Sequence, residues 1–449
     1  MNLKDFNAEG HWYTSYPSLN HWTEKIPYAE RLRKFTATGT PAHLYIHIPF
    51  CAKLCYYCIC NIIITNQRDK IQFFLDKLIA EIQLLAAYDP NIREIQLGGG
   101  TPSHLDNDQF DQLCDAIKWI VDPQKLAEFA MEIDPRTVSQ DQLRHYASRG
   151  VTRISFGVQD FDLKVQEAIN RVQPPEMIEA LLEVRNLFAG VNFDLLYGLP
   201  LQTMDTIAST VERTIKIAPN RITLLKYCHA PEVRAHMKLI DESQLPPKET
   251  LQGMFDFIVK ELLKAGYVWI GLDHFALPND SLAKAAVRGT VGRTFNGFTP
   301  GRVRDMIGLG PTSTGAFGNT YAQAEYDLKK YYGAIDKGEF PILRGYTLSQ
   351  DDEIRREVVF SLMCNQRVDF NDIGNKYDIA PEVYFERELM DFDPDLGWLE
   401  DGLLQVNERG RIYLRNICKL FDAKDTKPEH NKIAQLSMTR RENPAHQST

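Results

Sequence analysis

The stretch HLYIHIPFCAKLCYYCICN, residues 43–61, runs from a β-rich segment directly into four cysteines. Cys51, Cys55, Cys58 and Cys60 lie within ten residues, whereas the whole chain of 449 residues has only eight cysteines. Half of the thiols therefore occupy one loop behind one strand.

Bulk properties narrow what that loop can do. Hydrophobic residues make up 44% and charged residues 25%, as in an ordinary globular chain. The net charge of −9 argues against a general polyanion-binding surface, so no nucleic-acid partner is expected. No run approaches the ~20 apolar residues of a membrane helix, so no membrane partner is expected either. The segment MNLKDFNAEGHWYTSYP has acidic residues, no apolar core and no small-residue cleavage site, unlike a secretory signal. We expect a cytoplasmic monomer. In that compartment thiols stay reduced, and clustered cysteines mean metal or redox chemistry.

Outward from the cysteines, strand-like and helix-like segments alternate six times between about 43 and 266. The strand segments are HLYIHIPF, EIQLGGG, EFAMEID, RISFGVQD, NFDLLYGLP and RITLLKYCHAP. Such alternation predicts an α/β fold with a parallel sheet, its strands apolar because both faces are buried. Six units are too few for a closed eight-stranded barrel, which leaves an open sheet or a partial (β/α)6 barrel. In either, ligands bind at the C-terminal ends of the strands. Cys51, Gly98–Gly100, Glu132, Asp134, Gln159, Asp160, Cys228 and His229 fall at such ends, and Asp194 lies in the fifth strand.

The expected organisation is an N-terminal arm or lid over 1–42 and a core over 43–345. The Gly- and Thr-rich part of that core, 276–345, covers or completes the site. A small, mainly helical, winged-helix-like domain follows over 346–423, its hairpin read from LLQVNERGRIYL (403–414). A flexible tail spans 424–449. A winged helix also suits DNA binding, but the acidic balance favours a substrate-covering role.

The cysteine spacing is CxxxCxxCxC. A structural zinc site pairs two short arms across a longer span, and no second arm is evident. Four thiolates can also hold an iron–sulfur cluster. Three ligands would leave one iron open for a substrate or cofactor.

CxxxCxxC just behind a first strand, followed by GGGTP (98–102) behind a second, resembles the radical S-adenosylmethionine (SAM) enzymes. Further segments in order resemble their oxygen-independent coproporphyrinogen III oxidase (dehydrogenase) family. These are YTSYP (13–17), YIHIPFC, the extra Cys60, EIDPR (132–136), GVQDF (157–161), NR (170–171), DLLYGLP (194–200), GLDHFA (271–276) and RNIC (415–418). The resemblance spans roughly residues 12–422. It implies a radical SAM barrel whose Cys51, Cys55 and Cys58 hold a 4Fe–4S cluster, with Cys60 nearby. It implies Tyr45 beside a cluster-bound SAM, with Gly99, Thr101 and Glu132 at its methionine end. Gln159, Arg171 and Asp194 would grip ribose and carboxylate groups. A second SAM would lie near Gly100, Cys228 and Thr314, the last two departing from the residues of the best-known members. Trp12 and Leu277 stand where typical members carry arginine.

The implied reaction turns two propionates of coproporphyrinogen III into vinyl groups through a 5′-deoxyadenosyl radical. Protoporphyrinogen IX forms, in haem biosynthesis. A flavodoxin or ferredoxin would donate electrons. Trp12, Leu277, Cys228 and Thr314 leave two other readings open: a paralogue acting on another tetrapyrrole or substrate, or a haem-binding carrier without turnover. Taken singly, the residues also have plainer readings. Gly98–Gly100 could be a strand-to-helix turn, Glu132, Gln159 and Asp194 ordinary rim hydrogen bonders, and Arg171 a solvated helix residue. Cys114, Cys364 and Cys418 read as core thiols, and His47 and His274 as structural or supporting residues.

Overall fold

The computed structural model describes residues 13–301 and 303–424. Residues 1–12, Trp12 among them, and the tail beyond Lys424 lie outside the described residues.

Six parallel strands form where the apolar runs stand: β1 (Ala42–Ile48), β2 (Ile92–Gly99), β3 (Glu128–Ile133), β4 (Arg153–Gln159), β5 (Gly190–Tyr197) and β6 (Arg221–Lys226). Each leads into helix, including Arg68–Ala86, Asn107–Ile117, Gln140–Ser148, Met204–Ile217 and Lys248–Lys264. Three of these helices open on reciprocal caps, Asp106 with Gln109, Ser139 with Gln142, and Thr203 with Thr206. Each cap satisfies backbone N–H groups that have no partner in a first turn. Leu44, Ile46, Ile154, Phe156, Phe193, Ile222 and Phe275 are fully buried in one core between sheet and helices. The residues between them face the opposite, inner side of the sheet.

The sheet grows at both edges. Beyond β6 come β7 (Val268–Gly271) and β8 (His274–Ala276), both antiparallel to their neighbours, with β8 against β6. On the other side β9 (Met306–Leu309) runs parallel to β1. It is followed outward by β10 (Thr314–Phe317), β11 (Thr320–Ala324) and β12 (Ile342–Thr347). The order is β12-β11-β10-β9-β1-β2-β3-β4-β5-β6-β8-β7, and among the described residues nothing pairs its two ends. The barrel is therefore partial. The stretch 276–345 completes the sheet with β9–β12 more than it covers the site.

The C-terminal unit has helices Gln350–Asn365, Phe370–Tyr377 and Leu414–Leu420 around a three-stranded sheet. Its hairpin pairs Gly397–Glu400 with Leu403–Val406, one strand earlier than LLQVNERGRIYL suggests. The turn is Asp401-Gly402, both at positive φ, as a type I′ two-residue hairpin requires. Glu408–Ile412 is helical instead, because the Asn407 side chain accepts from the Gly410 N–H and caps it. A second core joins this unit to the arm: Tyr13 and Tyr16 pack with Val358, Phe385 and Phe421. Nearby Trp22 stacks on Tyr321 with centroids 4.8 Å apart. The arm from 13 to 42 is thus a strap tying the sheet edge to the C-terminal unit.

Candidate active site

The cysteine loop begins as β1 ends. Phe50–Cys51 pairs in parallel with Ile63–Ile64, so both ends of the loop are held together. Three separate parts of the chain then pin it, around Arg136, Asn170–Arg171 and Arg234–His236. Asn170 donates to the Leu54 carbonyl at 2.7 Å, and Arg234 Nε to the Ile59 carbonyl at 2.8 Å. Arg234 also reaches Asn61 at 2.8 Å, and a ring nitrogen of His236 lies 2.7 Å from the Cys58 carbonyl. Arg136 and Arg171 donate to Cys55 Sγ at 3.3 and 3.4 Å. Cys51 and Cys55 are buried, Cys58 is half-buried and Cys60 is exposed. Burial pushes the Cys51 thiol up to about 12. The hydrogen bond from Cys60 outweighs burial at Cys58 and brings that thiol down to about 7.

The glycine motif is stitched onto the same loop. Gly100 N–H donates to the Ile48 carbonyl at 2.7 Å and Thr101 N–H to the Phe50 carbonyl at 2.9 Å. Thr101 Oγ1 donates to Cys51 Sγ at 3.2 Å. Only glycine fits here. A Cβ on Gly100 would stand 2.7 Å from Pro49 backbone, and one on Gly99, at φ +109°, 2.5 Å from the His47 ring.

On the inner face the register aligns a polar belt. Tyr45 lies beside Gln96, Glu132 beside Ser155, Asp194 beside Thr223, and Thr223 beside His274. Gln96 donates to Glu132 at 3.3 Å, and so does the Gly99 N–H. Ser155 and Asn192 donate to Asp194 at 2.9 and 2.8 Å. Burial first, and then the charge of Asp194, push the Glu132 carboxyl up to about 7. Burial also raises Asp194. A carboxylate left in that state is stabilised by an incoming cation or a hydroxyl donor.

Gln159 ends β4 buried and at φ +65°, an αL conformation stored beside the belt. Arg171 is buried and donates twice to the Gly157 carbonyl, at 3.1 and 2.8 Å. Its Nη1 also lies 3.3 Å from Asp134. Burial alone would raise Asp134, but Arg171 and Arg136 outweigh it and hold the carboxyl low. The structure thus brings Arg171 to the cysteine loop and to Asp134. Tyr45 Oη lies 3.0 Å from His47 Nδ1, and burial lowers the His47 imidazole to about 4. Thr314 is buried at the start of β10, its carbonyl over Gly308, the register partner of Tyr45. Cys228 is exposed just past β6. Leu277 packs against the main core and donates its N–H to the Asn220 carbonyl. Cys114, Cys364 and Cys418 are buried away from the loop.

A model of the Radical SAM superfamily matches residues 45–214. Over 433 residues the chain is 37% identical to the oxygen-independent coproporphyrinogen III oxidase of Salmonella typhimurium, covering 94% of each protein. It is 38% identical over 437 residues to that of Synechocystis sp., again covering 94% of each. The solved coproporphyrinogen III oxidase of Escherichia coli, a radical SAM enzyme, superposes with a TM-score of 0.87 at 36% identity. That match covers 92% of this chain and 97% of the other. The chain belongs to the oxygen-independent coproporphyrinogen III oxidase family.

For a radical SAM family, the donor set suits a cluster. Among the described residues no three His, Cys, Asp or Glu converge tightly enough for one metal ion. A 4Fe–4S cube asks for thiolates spread over separate irons instead, which a CxxxCxxC loop supplies. Sequence reasoning missed Arg136, Asn170, Arg234 and His236 as anchors of that loop. Arg136 and Asn170 sit inside EIDPR and NR, motifs that mark the family, but Arg234 and His236 carry no local signal.

Proposed function

We propose that this chain converts two propionate side chains of coproporphyrinogen III into vinyl groups without oxygen, giving protoporphyrinogen IX. Each propionate gives up a hydrogen atom from its β-carbon, one electron and carbon dioxide. The cluster and SAM, when bound, supply the 5′-deoxyadenosyl radical that takes the hydrogen atom, and the protein supplies placement and dryness.

The hydrogen bond from Thr101 to Cys51 carries this reading, because it locks the glycine motif to the cysteine loop. Cys51, Cys55 and Cys58 hold the cluster. Gly99, Thr101 and Glu132 receive the amino end of SAM, whose positive charge suits the raised Glu132 carboxyl. Tyr45 lies beside it. Asp194, preset by Ser155 and Asn192, accepts from ribose hydroxyls, with Gln159 and Arg171 on the same rim. A second SAM fits between Gly100, Cys228 and Thr314, small side chains that leave room. A low-potential carrier such as a flavodoxin or ferredoxin reduces the cluster. The protein works as a cytoplasmic monomer.

The test is anaerobic. The protein with its reconstituted cluster receives reductant, SAM, coproporphyrinogen III and cell extract as electron acceptor. Mass spectrometry follows tetrapyrrole and 5′-deoxyadenosine together. Loss of two carboxyl groups in step with 5′-deoxyadenosine is expected. Formation of 5′-deoxyadenosine over an untouched tetrapyrrole would overturn the substrate.

A further inference from the structure

His274 closes one end of the polar belt. It is the register partner of Thr223, itself the partner of Asp194. Two strand spacings, roughly 10 Å, therefore separate its backbone from that of Asp194. Its neighbour Phe275 is fully buried on the helix side, which leaves His274 on the inner face. The imidazole side chain keeps 19% of its surface, enough for a ligand to touch it.

The ring is held from behind. Asp273 Oδ1 lies 2.7 Å from His274 Nδ1, and Arg415 of the C-terminal unit donates to Asp273 Oδ2 at 3.1 Å. Burial opposes ionisation of Asp273, but His274, Arg415 and Arg293 outweigh it and bring the carboxyl down to about 2. Asp273 is thus a fixed anion that orients the ring. The His274 and Phe298 rings meet nearly perpendicular with centroids 5.0 Å apart, and the guanidinium of Arg293 covers the Phe298 ring at 4.7 Å. Arg293 is buried, and its Nη1 has no hydrogen-bond partner. In front, Nε2 faces Gly297. A side chain there would begin 3.6 Å from Nε2, and the glycine omits it.

We propose that His274 is a carboxylate-binding residue of the reaction cavity, oriented by Asp273 and Arg415 and backed by Arg293, and that it receives one propionate of the tetrapyrrole. The proposal rests on the substrate reading above. Nδ1–H donates to Asp273 and Nε2–H to the propionate, so one imidazolium bridges protein and ligand carboxylates. The acceptor groups of the belt near SAM, Glu132 and Asp194, lie strands away. The contact therefore sets which way round the macrocycle enters.

The probe is coproporphyrin III, the fluorescent oxidised form of the substrate, titrated anaerobically into the cluster-loaded protein with SAM. His274→Gln is expected to weaken its binding roughly tenfold while SAM affinity stays unchanged. His274→Lys, which restores a cation, should recover part of the loss. The tetramethyl ester of coproporphyrin III should bind wild type and H274Q alike. Equal binding of coproporphyrin III by wild type and H274Q overturns the subsite. An equal loss with the ester does so too, since the contact would then not be to a carboxylate. Wild type that cleaves SAM yet binds no coproporphyrin III overturns the substrate reading, and the subsite with it. If H274Q loses its cluster, Asp273→Asn, which keeps the imidazole but removes its orienting anion, carries the same comparison.

Discussion

Asp194 acts on Glu132 across the inner face of the sheet, its charge adding to burial in raising the Glu132 carboxyl to about 7. An acid with a raised folded pKa binds its proton more tightly when folded. The SAM-free protein should therefore gain stability on acidification from about 7 towards the ordinary 4.5, and lose it as pH rises through about 7. SAM, whose amino group wants the ionised carboxylate, should bind more weakly below about pH 7. Glu132→Gln should flatten both profiles. Thermal melting without SAM and SAM titration across that range check the two halves.

Removing the Thr101 hydroxyl tests the link between the two motifs. Thr101→Val should cost about 1 kcal/mol in the cluster-free protein, the net value of one buried hydrogen bond. Thr101→Ser should be close to wild type. Urea denaturation reads the first effect. Iron retained after gel filtration reads the consequence for the cluster, expected to fall in T101V only.

Gly100 leaves no space for a side chain, with Pro49 backbone 2.7 Å from a would-be Cβ. Backbone cannot swing aside as a side-chain tip can. Gly100→Ala should destabilise the protein by roughly 1–3 kcal/mol and open the loop after β1. Melting temperature and cluster content should fall together.

Arg234 braces the cysteine loop from a segment beyond β6, through Ile59 and Asn61. Arg234→Met keeps the apolar stem and removes both bonds. The melting temperature should move little, whereas the cluster should be lost to a chelator several-fold faster. Loss of iron at the wild-type rate would show that the other anchors suffice.

At the opposite, N-terminal ends of the strands, Glu128 sits between Arg153 at 2.8 Å and Arg221 at 3.2 Å, with Asp280 completing the group. Burial opposes its ionisation, but the two arginines hold the carboxyl down at about 2. The stability it contributes is present above about 4.5 and is lost as pH falls towards 2. Glu128→Gln leaves Asp280 alone to balance two buried cations and should cost about 3 kcal/mol at neutral pH. Its effect should shrink in acid, and SAM binding should stay unchanged.

Short-range patterns in the chain already determined much of this protein. CxxxCxxC places three thiols in one loop whatever surrounds it, because a few residues of backbone set their reach. Six apolar runs alternating with capped helices dictate a parallel sheet, and a parallel sheet puts Cys51, Gly99, Glu132 and Gln159 at one rim. Tertiary structure decided what lies far apart in the chain. Arg234 reaches Ile59 only because the segment behind β6 folds back over the loop behind β1. His274 joins the belt only because β8 pairs antiparallel with β6 in one register, which composition does not encode. The hairpin of the C-terminal unit fell one strand earlier because Asp401-Gly402 can take two positive φ angles, while Asn407 caps a helix over the residues read as the second strand. Spacing along a loop is fixed by covalent geometry. Neighbours across a sheet are chosen by the packing of the whole chain, which no local stretch contains.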